Sequence, residues 1–276
     1  MIKHITDSAV LTNGVKMPYF GLGVWRTKEG EEVINSVLYA LKAGYRHIDT
    51  AAVYGNEEGV GQAIRESGVK REELFVTTKV WNENQRQGNV REACEDSLKK
   101  LGLDYVDLYL IHWPVAGKYK ETWKEMEKLY KEGKVRAIGV SNFHVHHLQD
   151  LLADCEIKPM VNQVEFHPYL TQNELRAFCR EQGIQFEAWS PLMQGDFLNE
   201  PVITEMAAKY GRAASQIVLR WDLQHEVVTI PKSVKEARII ENANIFDFEL
   251  SAEDVAKLDA LNKGHRYGPD PDNFDF

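Results

Sequence analysis

Four ionisable side chains stand at or just after strand-like runs of this chain, in a combination that could transfer protons. Asp49, Lys79 and His112 lie at the ends of three successive runs, and Tyr54 lies in the loop after the first of them. Lys79 falls within an apolar run, LFVTTKVW, where a lysine needs an anion such as Asp49. A phenol has an ordinary pKa of about 10, which a neighbouring cation lowers. We therefore expect Lys79 to acidify Tyr54, so that the phenol can protonate a developing alkoxide while His112 hydrogen-bonds to the substrate oxygen.

Each of these residues also has an ordinary structural explanation when it is considered alone. Asp49 could cap the following turn, Tyr54 could be a surface aromatic residue and His112 could be a hydrogen-bonded core histidine. Neighbouring strands of one parallel barrel, however, direct their last side chains to the same mouth. The combination therefore favours an active site. A hydride must come from a cofactor, because no side chain can supply one.

Apolar runs rich in β-branched and aromatic residues alternate with helix-length polar stretches along the chain. Runs of this kind are typical of buried parallel strands. They lie at residues 19–23, 45–48, 74–81, 105–113, 135–140, 160–166, 184–189 and 227–230. A barrel of eight strand-helix units typically needs about 250 residues, and this chain has 276. We predict an α/β fold, a (β/α)8 TIM barrel that forms a single domain over residues 1–276.

The segments between these runs have the apolar spacing of helices that pack on a barrel. Predicted helices lie at residues 29–42, 90–101, 172–182, 214–224 and 233–240.

Three further segments lie outside the alternation. The pair Asn13-Gly14 predicts a β-hairpin that closes the barrel floor. Residues 201–210 and 251–261 predict two extra helices, the second with Ser251 as its N-cap.

The composition is that of an ordinary soluble domain and argues against several kinds of partner. Apolar residues make up 43% of the chain, charged residues make up 27%, and the net charge is -9. Such a charge disfavours nucleic acid, whose binding depends on neutralised phosphates. The sequence has neither an apolar stretch of about 18 residues nor the pattern of an export signal. We expect a cytoplasmic protein with no membrane or nucleic-acid partner, and nothing in the sequence demands more than a monomer.

A short basic segment follows the last predicted strand and could bind one phosphate group. Lys232, Lys235 and Arg238 surround Ser233 there, and cations with a hydroxyl group suit a phosphate. Taken alone, the segment is better explained as the solvated start of a helix.

Two other patterns are incomplete as cofactor or metal motifs. The string GVGQAI at residues 59–64 lacks the third glycine of a dinucleotide fingerprint and lies inside a predicted helix, which favours helix packing. His144, His146 and His147 begin a polar helix, and we expect no carboxylate or cysteine ligand near them. We therefore predict no metal site.

Five ordered segments resemble the signature segments of the aldo-keto reductases. They are GYRHIDTAAVYGNE, LYLIHWP, KVRAIGVSNF, VNQVEFHP and IPKSVKEARIIEN. The resemblance covers nearly the whole chain and is strongest to the short-loop branch that includes diketogluconate reductases, methylglyoxal reductases and protozoal prostaglandin F synthases. It implies a (β/α)8 barrel that binds NADPH without a Rossmann unit. It also implies reduction of small aldehydes or ketones, such as methylglyoxal or keto sugars.

The resemblance assigns a role to individual residues. The family's catalytic tetrad corresponds to Asp49, Tyr54, Lys79 and His112, with the tyrosine as general acid while hydride passes to the carbonyl carbon. The walls of its substrate pocket correspond to Trp25, Tyr54, His112 and Trp113. The loop at residues 115–120 is shorter than that of animal aldose reductases, so the specificity of those enzymes does not transfer. The C-terminal tail, another specificity element of the family, has no assigned role.

The resemblance also implies an NADPH site. It assigns the basic segment to phosphate binding, in place of the solvated helix start that we favoured for the segment alone. Nicotinamide contacts correspond to Ser141, Asn142, Gln163 and Trp189, and pyrophosphate contacts correspond to Ser190 and Leu192. The clamp on the 2'-phosphate corresponds to Lys232, Ser233 and Arg238, and adenine contacts correspond to Glu241 and Asn242. Trp189 stands where the family more often has tyrosine, so stacking should persist while any contact through a tyrosine hydroxyl is lost.

Two other functions stay open at this point. The chain could be a regulatory protein that binds NADPH with little turnover. It could also be a barrel hydrolase that uses Asp49 and a second carboxylate such as Glu165, although glycoside hydrolysis does not require a phosphate site.

Overall fold

An antiparallel hairpin opens the part of the chain that the computed structural model describes, residues 2–276. Strands β1 (Ser8–Val10) and β2 (Lys16–Pro18) pair around a turn in which Gly14 has a φ of 86°. Glycine adopts this left-handed conformation without the steric penalty of a Cβ atom. The hairpin predicted from Asn13-Gly14 is therefore confirmed.

A barrel of parallel strands forms the centre of the molecule. Within residues 2–276 its eight strands are β3 (Leu22–Gly23), β4 (His47–Asp49), β5 (Phe75–Val80), β6 (Leu108–Ile111), β7 (Ile138–Ser141), β8 (Val161–Glu165), β9 (Gln185–Trp189) and β10 (Val228–Thr229). Each strand pairs with the next one along the chain. The Thr229 N–H donates to the Tyr19 carbonyl at 2.9 Å, and the Gly21 N–H donates to the Thr229 carbonyl at 3.0 Å. These bonds join the last strand to the segment before the first, which confirms the predicted (β/α)8 barrel.

Apolar side chains from the hairpin segment close one end of the barrel. Leu11 and Met17 are buried in a cluster with Phe75, Leu108 and Val161, each of which is the first residue of its strand. Burying a side chain of this size stabilises the fold by about 1.5–3 kcal/mol. The polar residues Asp49 and Lys79 lie at the opposite end of the barrel, where the strands end.

Helices surround the barrel and return the chain from the end of one strand to the start of the next. They are α1 (Glu31–Lys42), α2 (Glu57–Glu66), α3 (Asn82–Gln87), α4 (Val90–Leu101), α5 (Tyr119–Lys131), α6 (Val145–Asp154), α7 (Asn173–Gln182), α8 (Pro201–Tyr210), α9 (Ala214–Gln224), α10 (Glu236–Ala243) and α11 (Ala252–Asp259). The extra helices predicted outside the alternation are α8 and α11. Ser251 caps α11, because its Oγ accepts from the Asp254 N–H at 3.2 Å.

The helix predicted at residues 233–240 was placed too early. It begins at Glu236, because Lys235 is extended with φ -101° and ψ 120°. The Lys235 N–H donates to the Ser233 Oγ at 3.2 Å and stabilises a turn instead. The basic segment is therefore a turn that leads into the helix.

The glycine string at residues 59–64 serves helix packing, as predicted. Gly61 lies in α2, and a Cβ atom added there would be 2.0 Å from the Leu101 carbonyl oxygen at the end of α4. Any side chain would force the two helices apart, so the position needs glycine for close approach.

None of the helices in the described part of the chain combines the length and apolar character needed to cross a membrane. The single-domain organisation stays a prediction.

Candidate active site

The barrel brings the four predicted catalytic residues together at the mouth. Asp49 ends β4, Lys79 is the penultimate residue of β5, and His112 follows β6, while Tyr54 ends a short 3-10 turn after β4. The Lys79 Nζ donates to the Asp49 Oδ1 at 2.6 Å and to the Thr50 carbonyl at 2.9 Å. It also lies 3.5 Å from the Tyr54 hydroxyl oxygen. The predicted lysine-aspartate pair and its neighbouring phenol are therefore present.

Lys79 carries its charge in a place that water does not reach. Its side chain is 0% exposed. Burial is the largest effect and acts to lower the pKa of Lys79, but the attraction and hydrogen bond of Asp49, with smaller effects of neighbouring groups, together outweigh it and the pKa lies above its ordinary value. Asp49 is held in turn by the Gln163 amide, which donates to its second oxygen at 2.8 Å. A fixed ammonium group thus stands beside the phenol.

The pKa of Tyr54 moves in the direction opposite to our prediction. Burial raises the pKa above 10, and the Lys79 charge only offsets part of that effect. Desolvation disfavours the phenolate more than one nearby cation favours it. Tyr54 is therefore protonated at neutral pH, which is the form that a general acid requires.

His112 is a neutral imidazole at the same mouth. Burial, aided by the charge of Lys79, holds the pKa of His112 well below 6.5. Its ring meets the Tyr54 ring edge to face with centroids 5.7 Å apart. Among residues 2–276 its buried Nδ1 has no hydrogen-bond partner. A neutral ring of this kind can direct one N–H at a substrate oxygen without placing a second cation beside Lys79.

The residues assigned to the nicotinamide form a connected layer next to the tetrad. Ser141 donates from Oγ to the Gln163 carbonyl at 2.7 Å, and Asn142 donates from Nδ2 to the His112 carbonyl at 2.9 Å. Asn142 adopts a left-handed φ of 63°, a conformation that costs energy for residues other than glycine. The Trp189 indole N–H donates to the Asn142 Oδ1 at 2.9 Å. Trp189 lacks the hydroxyl group of the tyrosine that is more common at this position, but its indole N–H orients the Asn142 amide.

The basic segment has free cations that could hold a phosphate group. Lys232, Lys235 and Arg238 are exposed, and in the described structure no carboxylate lies within salt-bridge distance of them. Unpaired cations on an acidic protein favour an anionic ligand. The segment is therefore open to a phosphate group, and its role as the clamp on the 2'-phosphate stays a prediction.

The other predicted cofactor residues differ in how far they are open to a ligand. Ser190, with a left-handed φ of 54°, and Leu192 are partly exposed just after β9. On α10, Glu241 is exposed and Asn242 is buried. Their roles stay predictions.

Aromatic side chains lie beside the catalytic residue His112, whose ring meets the Trp81 ring at a centroid distance of 5.2 Å, and the sequence reasoning missed several of them. Trp25 is 43% exposed and Trp113 is buried. Trp81 stacks on the C-terminal residue Phe276, with ring centroids 5.7 Å apart and planes 4° from parallel, and Phe276 also meets the edge of Trp113. Phe274 contacts Trp113 as well. Phe274 and Phe276 are the features of the sequence that could have indicated this contact.

Hydrogen bonds hold the tail over the mouth. The Phe276 carbonyl oxygen accepts from Arg86 Nη2 at 2.7 Å and from Asn82 Nδ2 at 3.2 Å. Upstream, the backbone N–H groups of Tyr267 and Gly268 donate to the two carboxylate oxygens of Glu165 at 2.6 and 3.1 Å. Both carboxylate oxygens of Glu165 therefore accept hydrogen bonds from the tail, which disfavours the use of Glu165 as the second carboxylate of a hydrolase.

Our interpretation that the histidine cluster has no carboxylate nearby was wrong. Asp270 and Asp272 of the tail lie against the start of α6, where His144 Nε2 is 3.3 Å from an Asp270 oxygen and His146 Nε2 is 2.9 Å from an Asp272 oxygen. The carboxylates are more than 120 residues away along the chain, so sequence proximity could not reveal them.

Comparisons with known proteins show which family the chain resembles. A family model described as the aldo/keto reductase family matches residues 20–263. The chain is 64% identical to a glyoxal reductase of Bacillus subtilis over 276 residues, which cover all of both chains. It is 50% identical to the methylglyoxal reductase DkgA of Escherichia coli, with 96% of each chain covered. The crystal structure of a Bombyx mori aldo-keto reductase in complex with NADP aligns with a TM-score of 0.90 and 41% identity, over 96% of this chain and 95% of that one.

Proposed function

The chain belongs to the aldo/keto reductase family, and we propose that its tetrad reduces small aldehydes and ketones to alcohols with NADPH. The observation that carries the proposal is the position of the Tyr54 hydroxyl, 3.5 Å from a buried ammonium group that Asp49 holds at 2.6 Å. This arrangement gives a carbonyl oxygen a proton donor with a fixed charge behind it. NADPH, when bound, supplies the hydride.

Each tetrad residue has a distinct part in the reduction. Tyr54 donates its hydroxyl proton to the carbonyl oxygen as the alkoxide forms, and Lys79 stabilises the phenolate that remains. Asp49 keeps Lys79 charged and in place. His112, as a neutral ring, orients the carbonyl oxygen toward Tyr54 through one hydrogen bond.

The cofactor is held by residues along one side of the mouth. We assign the nicotinamide to Ser141, Asn142, Gln163 and the ring of Trp189, and the pyrophosphate to Ser190 and Leu192. We assign the 2'-phosphate to Lys232, Ser233 and Arg238, and the adenine to Glu241 and Asn242. The unpaired cations of the basic segment support NADPH over NADH, because the two cofactors differ by that phosphate group.

We further propose that the substrates are small dicarbonyls such as glyoxal and methylglyoxal. The names of the two relatives support this substrate class. The site can also enclose a small substrate, because the Trp81 ring meets the His112 ring and Phe276 packs on both Trp81 and Trp113. Keto sugars are a second class to compare. We propose that the protein acts as a cytoplasmic monomer, which size-exclusion chromatography and cell fractionation would test.

Replacing Tyr54 by phenylalanine tests the central role. The variant Tyr54→Phe should lose about 10²–10⁴-fold in kcat for methylglyoxal, the usual contribution of a general acid, while NADPH binding stays near that of the wild type. NADPH absorbance measures turnover and fluorescence titration measures binding. Tyr39→Phe, on α1, is the matched control and should behave as the wild type. Turnover that survives in Tyr54→Phe would refute the assignment, and NADPH binding without turnover in the wild type would favour a sensing protein.

A further inference from the structure

Three histidines at the start of α6 face two aspartates of the C-terminal tail. His144 Nε2 lies 3.3 Å from Asp270 Oδ1 and 3.9 Å from Asp272 Oδ2. His146 Nε2 lies 2.9 Å from Asp272 Oδ1, and His147 Nε2 lies 3.3 Å from the same oxygen. The catalytic assignment uses none of these five side chains.

The spacing of these atoms is that of ligands around one metal ion. The ligand atoms of His144, Asp270 and Asp272 all lie within 4.8 Å of one another. Zinc binds imidazole nitrogen and carboxylate oxygen at about 2.0–2.2 Å, so neighbouring ligand atoms of a tetrahedral site are about 3.3–3.6 Å apart. The separation of 3.3 Å between His144 and Asp270 meets that geometry, and the separation of 3.9 Å between His144 and Asp272 is longer. Nitrogen and oxygen donors together suit a divalent transition metal.

His147 has a different part in the cluster, because its tautomer is determined by the backbone. The His144 N–H donates to the His147 Nδ1 at 3.1 Å, so a neutral His147 carries its hydrogen on Nε2. That hydrogen points at Asp272 and occupies the position a metal would need. His147 therefore orients the Asp272 carboxylate, as second-sphere partners of metal ligands commonly do. His144, Asp270 and Asp272 therefore remain as protein donors, and water can take the fourth position of a tetrahedral site.

The surrounding charges permit a cation at this position. The N-terminus of α6 carries partial positive charge and opposes a cation, and Arg266 Nε lies 3.8 Å from Asp270 Oδ2. Asp270 meets His144 through its other oxygen, however, and the two aspartates together carry two negative charges. A divalent ion would neutralise both.

We propose that His144, Asp270 and Asp272 bind one divalent transition metal ion of the Zn²⁺ type that fastens the C-terminal tail to α6. The tail continues from Asp272 to Phe274 and Phe276, which contact Trp113 at the pocket. The ion thereby secures the aromatic cover of the mouth.

Calorimetric titration of the full-length protein with ZnCl₂ tests the site without any substrate. The protein is freed of its affinity tag and treated with a chelator beforehand. We expect one ion per chain, and at least tenfold weaker binding in each of His144→Ala and Asp272→Asn. His265→Ala removes a tail histidine outside the cluster and should bind as the wild type does. Circular dichroism and NADPH affinity close to wild type would establish that the variants are folded.

Three results would overturn the proposal. The first is an absence of zinc binding at millimolar concentration, and the second is equal binding by the wild type, His144→Ala and Asp272→Asn. The third concerns the attachment of the tail to α6. Zinc should slow hydrogen exchange of tail residues 265–276 in the wild type and leave it unchanged in Asp272→Asn. Exchange that zinc does not slow in the wild type would contradict the attachment. None of these readouts depends on carbonyl reduction, so the two proposals fail separately.

Discussion

Replacing Asp49 by asparagine should destabilise the protein far more than a surface change of the same chemistry. The Lys79–Asp49 pair is 2.6 Å long, with side chains 0% and 3% exposed. Asparagine keeps the shape of aspartate but leaves a buried ammonium ion without its counter-charge, a change that typically costs about 3–5 kcal/mol. For a domain of this size, such a loss lowers Tm by about 6–20 °C.

The chain contains a matched control for this experiment. Lys100 and Asp96 are also 2.6 Å apart, but their side chains are 40% and 57% exposed. Exposed pairs of this spacing contribute about 0.3–0.5 kcal/mol, so Asp96→Asn should shift Tm by about 1–2 °C at most. The two ion pairs have the same N–O distance, so the comparison of the two variants isolates the effect of burying the pair.

The pH dependence of stability gives a second readout of the same pair. The pKa of Lys79 is raised in the folded protein, so its stabilising contribution is complete below the unfolded value of about 10.5 and is lost as pH rises through the folded value. In Asp49→Asn the main opposition to the burial effect is removed, so the pKa of Lys79 should fall below 10.5 and the variant should lose stability at lower pH than the wild type. Thermal unfolding across the neutral and alkaline range measures both effects. Equal Tm losses for Asp49→Asn and Asp96→Asn would refute the reasoning.

Two further outcomes test the cofactor clamp and the state of the histidine. Arg238→Ala should weaken NADPH binding by about 10–150-fold, which corresponds to the loss of one charge-assisted hydrogen bond of about 1.5–3 kcal/mol. The affinity for NADH should change by no more than about twofold. Equal losses of affinity for both cofactors would contradict the phosphate assignment. Because the pKa of His112 lies well below 6.5, the ring stays neutral and kcat/KM for reduction should show no fall centred near the ordinary histidine value of about 6.5; such a fall, absent from His112→Gln, would disprove a neutral ring.

The placement of the tetrad could be predicted from the sequence because it depends on a simple regularity. Parallel strands of one barrel all end at the same side, so Asp49, Lys79 and His112 must converge once their strands are identified. Local signals were equally reliable for the Asn13-Gly14 turn and for the Ser251 cap, since each depends on bonds within four residues. The start of α10 was misjudged because the Ser233 Oγ accepts a hydrogen bond from the Lys235 N–H, which stabilises a turn with Lys235 extended in place of a first helical turn.

The contacts of the tail could not be predicted, because they join segments that are remote in sequence and have no periodic pattern. The Tyr267 N–H bonds to Glu165 across 102 residues, and His144 meets Asp270 across 126. Neither pair produces a pattern in the chain. Both the cover of the pocket and the histidine-aspartate cluster depend on such contacts, so only the folded structure reveals them.

The raised pKa of Tyr54 has a consequence for the direction of the reaction. Sequence identifies a cation beside a phenol, but the pKa depends on the balance between that charge and the loss of water, and depth of burial decides the balance. With its pKa raised, Tyr54 is held in the protonated form that reduction consumes. Alcohol oxidation would instead need the phenolate as a base, which burial disfavours. At neutral pH the site is therefore poised to deliver a proton, and the oxidation rate should keep rising with pH above about 10, where an unperturbed phenol would already be ionised.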